Sequence, residues 1–158
     1  MQNSQPKKVI SQVNNIATLR SRKGMFATAV FLLLDTKDKK MMVCNAGHHS
    51  MLIRREEGEI LEKGRAGGIP LGIAENVVYE EEEIQLYSGD VVFLFSDGVI
   101  EPVNDQSEQF GMDRLRSMIN ESCGTPEEIL KKIDNAIQTF TGDAPQFDDM
   151  TFLVFRVL

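Results

Sequence analysis

Several sequence signatures are absent from this 158-residue chain, and each absence excludes a kind of chemistry. There is no Gly-x-Ser-x-Gly elbow, no Walker loop and no Cys-Arg phosphatase signature, so covalent serine or cysteine catalysis and P-loop nucleotide binding are not indicated. Cysteine is scarce: Cys44 and Cys123 lie far apart without metal-type spacing, and we predict reduced thiols in a cytoplasmic protein. No apolar run approaches the roughly 18 residues of a membrane span, and the N-terminus lacks a signal-peptide core.

Acidic residues are missing from positions 1–34, although the whole chain has a net charge of −7. Five basic residues lie in that segment, so the remainder carries 12 basic against 24 acidic residues. The overall acidity argues against a nucleic-acid partner. A basic opening segment is compatible with a membrane surface or an acidic partner, but such a segment is more often a solvated face, which we favour.

The most informative segment present runs from Gly89 to Pro102. Its apolar stretch, Val91 to Phe95, predicts a buried strand. The strand ends in Ser96-Asp97-Gly98, where the glycine lets the backbone turn beside a carboxylate. An isolated Asp-Gly is usually only a turn, but a carboxylate at the end of a rigid strand is also a suitable ligand for a hard divalent cation.

A second acidic site, Asp148-Asp149, precedes another apolar segment, Met150 to Phe155. On an extended chain neighbouring side chains point to opposite faces, so one of the two carboxylates can face inward while the other faces solvent or a supporting polar partner. Paired acids before a strand are equally compatible with a solvated turn.

Periodicity along the rest of the chain predicts an α+β domain dominated by antiparallel pairing. Thr125, Pro126 and Glu128 form the signature of a capping box at the start of a helix that Gly142 ends. The acidic run Glu80 to Glu83 is compatible with metal binding, but we favour a charged sheet edge that discourages aggregation. The predicted elements are a helix beginning near Pro6, strands at 25–34, 41–46, 49–55, 77–86, 91–95 and 150–155, a helix with an apolar stripe from Met112 to Ile119, and a helix from Pro126.

Six short motifs, all in register, carry a resemblance to one known family. They resemble the metal-dependent protein serine/threonine phosphatases of the PP2C type, in the bacterial branch that includes the sporulation phosphatase and the stress-response regulators of sigma factors. In chain order the motifs are Met25-Phe26-Ala27-Thr28, Asn45-Ala46-Gly47-His48, Gly68-Ile69-Pro70-Leu71-Gly72-Ile73, Gly89-Asp90 through Ser96-Asp97-Gly98-Val99-Ile100-Glu101, Phe110-Gly111-Met112-Asp113-Arg114-Leu115 and Asp148-Asp149-Met150-Thr151.

The resemblance implies a sandwich of two β-sheets flanked by helices, and hydrolysis of phosphoserine or phosphothreonine by a metal-activated water. The substrate would be a phosphorylated regulatory protein such as an anti-sigma factor antagonist. Asp97 and Asp148 match the family's ligands for two Mn²⁺ or Mg²⁺ ions, with Gly98 and Asp149 as their neighbours. His48 ends the Asn-Ala-Gly-His motif, and we interpret it as a structural residue that hydrogen-bonds a turn rather than as a ligand.

One departure from the family pattern limits this implication. The family has a further Asp-Gly ligand motif upstream, whereas the first acidic residue here is Asp35, in a predicted hairpin turn. Residues 1–158 therefore resemble about the C-terminal two-thirds of a single phosphatase domain, with an upstream sensory or receiver domain expected in the full-length protein. Either the chain is part of a longer phosphatase or it is a non-catalytic interaction module of the same fold. The retention of Asp97 and Asp148 favours the former, and uncovered strands predict self-association into a homodimer.

Overall fold

The computed structural model describes residues 5–22, 24–65, 67–122, 124–144 and 148–158, and Cys123 lies outside these ranges. The described residues divide into two compact units: unit 1 is Met1–Ser50 with Glu62–Tyr87, and unit 2 is Met51–Leu61 with Ser88–Leu158. Within the described ranges no helix combines the length and apolarity needed to cross a bilayer. In chain order the elements are α1 (Pro6–Arg20), β1 (Ala29–Asp35), β2 (Lys40–Ala46), β3 (Met51–Arg54), β4 (Ile60–Lys63), β5 (Glu81–Gln85), β6 (Val91–Phe95), a 3-10 turn (Asp97–Val99), α2 (Gly111–Asn120), α3 (Pro126–Thr141) and β7 (Phe152–Arg156).

Unit 1 contains a three-stranded antiparallel sheet with the strand order β1-β2-β5. Its core cluster joins α1 to the sheet through Ile10, Cys44, Ala46, Leu71 and Tyr79. Three residues of the acidic run, Glu81 to Glu83, lie on β5, which is an edge strand of this sheet, as the sequence predicted. Its glutamates form ion pairs with neighbouring lysines instead of clustering: Lys7 with Glu81 at 3.2 Å, Lys63 with Glu82 at 3.2 Å and Lys40 with Glu83 at 3.0 Å.

Helix α1 begins at Pro6, as predicted, but its apolar stripe is only partly covered. The buried residues are Pro6, Ile10 and Asn14, whereas Val13 is 42% and Ile16 is 53% exposed. The buried amide of Asn14 donates to the Ala74 carbonyl at 2.8 Å and accepts from the Gly72 amide at 3.0 Å. A polar side chain therefore fixes this helix to the loop that follows Leu71, a role that an apolar pattern does not reveal.

Unit 2 contains a four-stranded sheet with the order β4-β3-β6-β7. Two residues at the end of β4, Glu62 and Lys63, belong to unit 1. Strand β6 pairs with β3 and with β7, antiparallel in both cases. Residues on both faces of β6 are buried, so the strand is a continuous apolar run, and Val91 to Phe95 form the strand that the sequence predicted. The core cluster of this unit unites the sheet with α2 and α3: Leu52, Val91, Phe93, Phe95, Val99, Phe110, Leu115, Ile119, Ile129, Ile133 and Ile137.

Helix α3 confirms the capping prediction. The Glu128 amide donates to the Thr125 hydroxyl at 3.3 Å, and the Thr125 amide donates to the Glu128 carboxylate at 2.8 Å. Gly142 ends the helix with a φ of 55°, a conformation that favours glycine. These are local contacts, which explains why the sequence indicated them correctly.

Most predicted strands were too long. The segment 25–28 is not part of β1, because Ala27 instead exchanges two backbone hydrogen bonds with Leu71, at 3.0 and 2.8 Å. Residues 49–50 lie outside β3, since the Asn45 side chain donates to the carbonyls of His48 and His49 and the chain turns there. Likewise 77–80 precede β5 and 150–151 precede β7, while β4 was not predicted at all. The first of these differences depends on a partner that is distant in sequence, since Ala27 and Leu71 are far apart in the chain.

Candidate metal centre and an adjoining cavity

The pairing of β6 with β7 decides where the two acidic motifs lie. Their antiparallel register places Phe95 opposite Phe152, so the C-terminal end of β6 adjoins the N-terminal start of β7. Asp97 follows β6 and Asp148 precedes β7, and both lie in unit 2. Two carboxylate motifs that are about 50 residues apart in sequence are therefore brought to the same end of one sheet.

Ser96 joins the two motifs directly. Its amide donates to the Thr151 carbonyl at 3.0 Å, and its hydroxyl donates to the Asp149 carbonyl at 3.2 Å. The Thr151 amide donates back to the Ser96 hydroxyl at 3.0 Å. The role of Ser96 was not predicted from the sequence. A hydroxyl residue immediately after a buried strand could have indicated that it bonds a neighbouring segment.

Gly98 is required because the two motifs approach each other closely at this position. A Cβ at this position would collide with the Asp149 carbonyl oxygen. The sequence predicted a glycine that lets the backbone turn beside Asp97, and the nearest neighbour of Gly98 in the structure is the backbone of the second motif. A glycine here allows the two segments to touch.

Both candidate carboxylates are exposed and each is oriented by a local backbone amide. The Gly98 amide donates to Asp97 Oδ1 at 3.1 Å, and the Asp149 amide donates to Asp148 Oδ1 at 2.7 Å. Asp148 and Asp149 are both exposed, so neither carboxylate is buried in the sheet. They precede the first residue of β7, Phe152, so the alternation of a strand does not apply to them.

This donor set fits part of a divalent-cation site. Ionised carboxylate oxygens at a fixed strand end are the ligands that Mg²⁺ and Mn²⁺ prefer. Nowhere in the described ranges, however, do three His, Cys, Asp or Glu side chains group closely enough to hold a metal ion. Asp97 and Asp148 are therefore candidates for only part of such a site.

A cavity of about 240 Å³ adjoins the two motifs. It lies between the segment that follows the 3-10 turn, the C-terminal end of α3 and the start of the second motif. Sequence analysis did not predict it, because no single motif contains its walls. The described residues that line it are Gly98, Glu101, Pro102, Val103, Ile137, Gln138, Thr141, Ala144, Asp148 and Met150.

Two other candidates from the sequence have structural explanations within unit 1. The His48 amide donates to Asn45 Oδ1 at 2.8 Å, and His48 Nδ1 lies 3.0 Å from the Thr28 hydroxyl, so His48 serves a turn as interpreted. Asn45, which is 1% exposed, organises that turn and also donates to the Gly64 carbonyl at 2.8 Å. Cys44 is a free, buried thiol, and burial raises its pKa to about 11, so it is a poor nucleophile near neutral pH.

Comparison with known families identifies the family to which the chain belongs. The sequence profile of the family described as Stage II sporulation protein E (SpoIIE) matches residues 1–158, and the chain belongs to this family. Protein IcfG of Synechocystis sp. is 29% identical over 159 residues, which cover 95% of this chain and 25% of that protein. Phosphoserine phosphatase RsbU of Bacillus subtilis is 26% identical over 154 residues, which cover 96% of this chain and 45% of that protein. The chain thus spans less than half of these curated relatives.

Solved structures establish the fold. The PP2C domain of SiaA from Pseudomonas aeruginosa superposes with a TM-score of 0.80 at 21% identity, covering 96% of this chain and 61% of that one. The SpoIIE phosphatase domain of Bacillus subtilis, presoaked with Mn, superposes with a TM-score of 0.70 at 23% identity, covering 99% of this chain and 67% of that one. The chain therefore has the α+β fold of PP2C-type phosphatase domains, as the sequence resemblance implied.

Proposed function

We propose that this chain is the C-terminal two-thirds of a single metal-dependent phosphatase domain, which removes phosphate from phosphoserine or phosphothreonine on a cytoplasmic regulatory protein. An anti-sigma factor antagonist is the substrate class we favour. The observation that carries the proposal is the junction of the Asp97 and Asp148 motifs through Ser96 at one sheet end. Family membership supports it, since RsbU is named a phosphoserine phosphatase.

In this proposal Asp97 and Asp148 hold Mn²⁺ or Mg²⁺. A divalent cation bound there would lower the pKa of a bound water and offset negative charge on the phosphoryl group. The chain's own contribution is orientation: the backbone amides of Gly98 and Asp149 each fix one carboxylate, and Ser96 keeps the two motifs together. Asp149 is the neighbour of the ligand and not a ligand itself.

We propose further that additional metal ligands come from outside these 158 residues, because the described residues hold no group of three candidate ligands. Two-metal phosphoryl chemistry needs both ions positioned together. These 158 residues by themselves should accordingly hydrolyse phosphate esters poorly or not at all. The full-length protein, with a sensory or receiver domain upstream, should be the active form.

Metal binding tests the ligand assignment in the full-length protein. Asp97→Asn should abolish most Mn²⁺ binding measured by calorimetry and most turnover of a chromogenic phosphate ester, because an amide is a much weaker ligand for a hard cation than an ionised carboxylate. Asp149→Asn is the matched control, because it makes the same change in charge at the position next to Asp148, and it should lose less Mn²⁺ binding and less turnover. Equal losses in the two variants would show that the wrong aspartate was chosen.

A non-catalytic interaction module is the second candidate, and the incomplete donor set favours it. Activity of the full-length protein separates the two. Turnover that depends on Mn²⁺ and on Asp97 supports the phosphatase, whereas a full-length protein that binds a regulatory protein without hydrolysing any phosphoester supports the module.

Self-association is proposed on the composition of the surface. Most large exposed hydrophobic side chains of the described residues lie in unit 1, among them Leu19 at 73% and Phe26 at 64% exposure. Exposed apolar patches commonly pair with another chain. Light scattering should detect a homodimer of the chain at high concentration, and Leu19→Ser with Phe26→Ser should weaken it. A monomer at every concentration would refute this proposal.

A further inference from the structure

We propose that the cavity beside Asp148 holds a lysine or arginine side chain of the phosphoprotein substrate, and that Glu101 selects for it. This inference rests on the proposed phosphatase function and adds a specificity determinant to it. The cavity adjoins the candidate metal centre, since Gly98 and Asp148 belong to both. A side chain bound there would lie next to the phosphorylated residue.

The size of the cavity limits its occupant. Its volume of about 240 Å³ falls below the roughly 300–1,000 Å³ typical of small-molecule sites, so one long side chain fits better than a whole ligand. Pro102, Val103, Ile137 and Met150 give it apolar walls. The aliphatic stem of lysine or arginine is suited to such walls, while its charged end requires a polar partner.

The charges around the cavity select for a cation. Glu101 and Asp148 are among the described residues that line it, and no lysine, arginine or histidine is. The Glu101 side chain is exposed and forms no ion pair or hydrogen bond with another described residue. Helix α3 also ends at the cavity, at Thr141, without a basic residue in its last turn. A helix C-terminus favours positive charge, which agrees in sign with the Glu101 carboxylate.

The wall that carries Glu101 is held firmly. The Glu101 amide donates to the Asp97 carbonyl at 3.0 Å, which ties it to the candidate metal centre. Beyond it the chain forms a small hairpin, in which Val103 bridges to Gln109 and the Phe110 amide donates to the Pro102 carbonyl at 2.7 Å. A preorganised wall loses little entropy when a side chain binds, which favours selectivity.

Paired phosphopeptides test the inference with the full-length protein. The two peptides of a pair differ at one position near the phosphoserine, where one carries lysine and the other norleucine. The set of pairs covers each position within a few residues of the phosphoserine. The kcat/KM of the wild type should favour lysine at one position. Glu101→Gln should reduce that preference about two- to fivefold, as expected for a partly exposed ion pair, and Glu101→Lys should invert it towards a glutamate peptide. Turnover of a small chromogenic phosphate ester, which does not reach the cavity, separates a general effect of each substitution on the metal centre from an effect on the choice of peptide.

Asp105→Asn is the matched control, because Asp105 lies in the same hairpin but does not line the cavity. If the wild type is active but lysine and norleucine peptides are hydrolysed equally at every position, or Glu101→Gln and Asp105→Asn act alike, the inference is wrong. If the wild type hydrolyses nothing, the proposed function fails, and fluorescence anisotropy of the same peptides decides the cavity separately. Equal affinity for the two peptides would then overturn it.

Discussion

The two units of this chain use their hydrophobic residues differently. Fourteen of the buried hydrophobic side chains of the described residues belong to unit 2 and nine to unit 1. The exposed ones are distributed in the opposite way, since eleven of the fourteen large hydrophobic side chains that are exposed in the described part of the chain lie in unit 1. Unit 2 therefore buries more apolar residues, eleven of them in one core cluster, whereas unit 1 retains apolar surface that is suited to further contacts.

The two units also differ in the burial of their charged residues. In unit 2 the charged pair Arg55–Asp90 is largely buried, with side-chain exposures of 16% and 1%. In unit 1 the pair Lys40–Glu83 is exposed at 46% and 56%, and neutral amides, Asn14 and Asn45, occupy the buried polar positions. The candidate metal centre thus lies on the unit that buries more hydrophobic side chains and a charged pair, and a site with fixed ligand geometry requires packed support of this kind.

A phenylalanine in each unit gives the largest expected contrast. Phe93→Ala removes a side chain that is 0% exposed at the centre of the unit 2 core and should lower the free energy of unfolding by about 3–5 kcal/mol. Phe26→Ala removes one that is 64% exposed in unit 1, and the change should stay within about 0.5 kcal/mol. Urea denaturation measures both. A comparable loss for Phe26→Ala would mean that unit 1 buries this residue in solution.

The two ion pairs provide the next contrast. Asp90→Ala leaves the Arg55 guanidinium without its buried partner and should cost about 2–3 kcal/mol. Glu83→Ala breaks an exposed pair and should cost less than about 1 kcal/mol, with the loss disappearing at high salt. Denaturation at low and high ionic strength distinguishes them. A salt-sensitive loss at Asp90 would contradict its burial.

Helix capping gives a smaller effect. Thr125 caps α3 with a complete capping box, whereas the N-cap of α1, Gln5, forms no side-chain hydrogen bond with the helix. Thr125→Ala should cost about 1 kcal/mol, and Gln5→Ala should change the free energy of unfolding by only a few tenths of that. Equal losses would show that the reciprocal bonds of Thr125 and Glu128 do not persist in solution.

The Cys44 thiol gives the smallest effect at neutral pH. Its pKa is raised to about 11 by burial, whereas a thiol in the unfolded chain ionises near about 8.5. The unfolded state therefore loses its proton first, and stability should fall as pH rises from about 9 to 11, by less than about 1.4 kcal/mol per pH unit. Cys44→Ala should remove that part of the slope in urea titrations. An unchanged slope would locate the titration elsewhere.

Local sequence was sufficient for features whose partners are near in the chain. The capping box needs only Thr125 and Glu128, three residues apart, and the strand Val91–Phe95 is marked by its own apolar, β-branched residues. The chemistry of the candidate site was likewise readable, because Ser96-Asp97-Gly98 and Asp148-Asp149 are carboxylate motifs next to strands. The family resemblance followed from such short motifs in register.

Long-range contacts decided the rest. Residues 25–28 do not extend β1 because Ala27 bonds to Leu71, and the stripe of α1 is partly exposed because Asn14 orients the helix. No pattern within either segment contains that information. Strand ends depend on which distant backbone groups are available to pair, since each N–H and C=O requires a partner that local sequence does not name.

The sequence by itself determined which residues of this protein are candidates to bind a cation and which segments form its helices and its most apolar strand, because these depend on side-chain chemistry and on contacts within a few residues. The tertiary structure alone decided that the two carboxylate motifs share one end of a sheet, since this depends on the register that places Phe95 opposite Phe152. It also decided the cavity beside them, whose walls come from three segments around Glu101, Thr141 and Asp148. Only packing brings such segments together, because the hydrophobic effect that drives it is non-directional and specifies no pairs in advance.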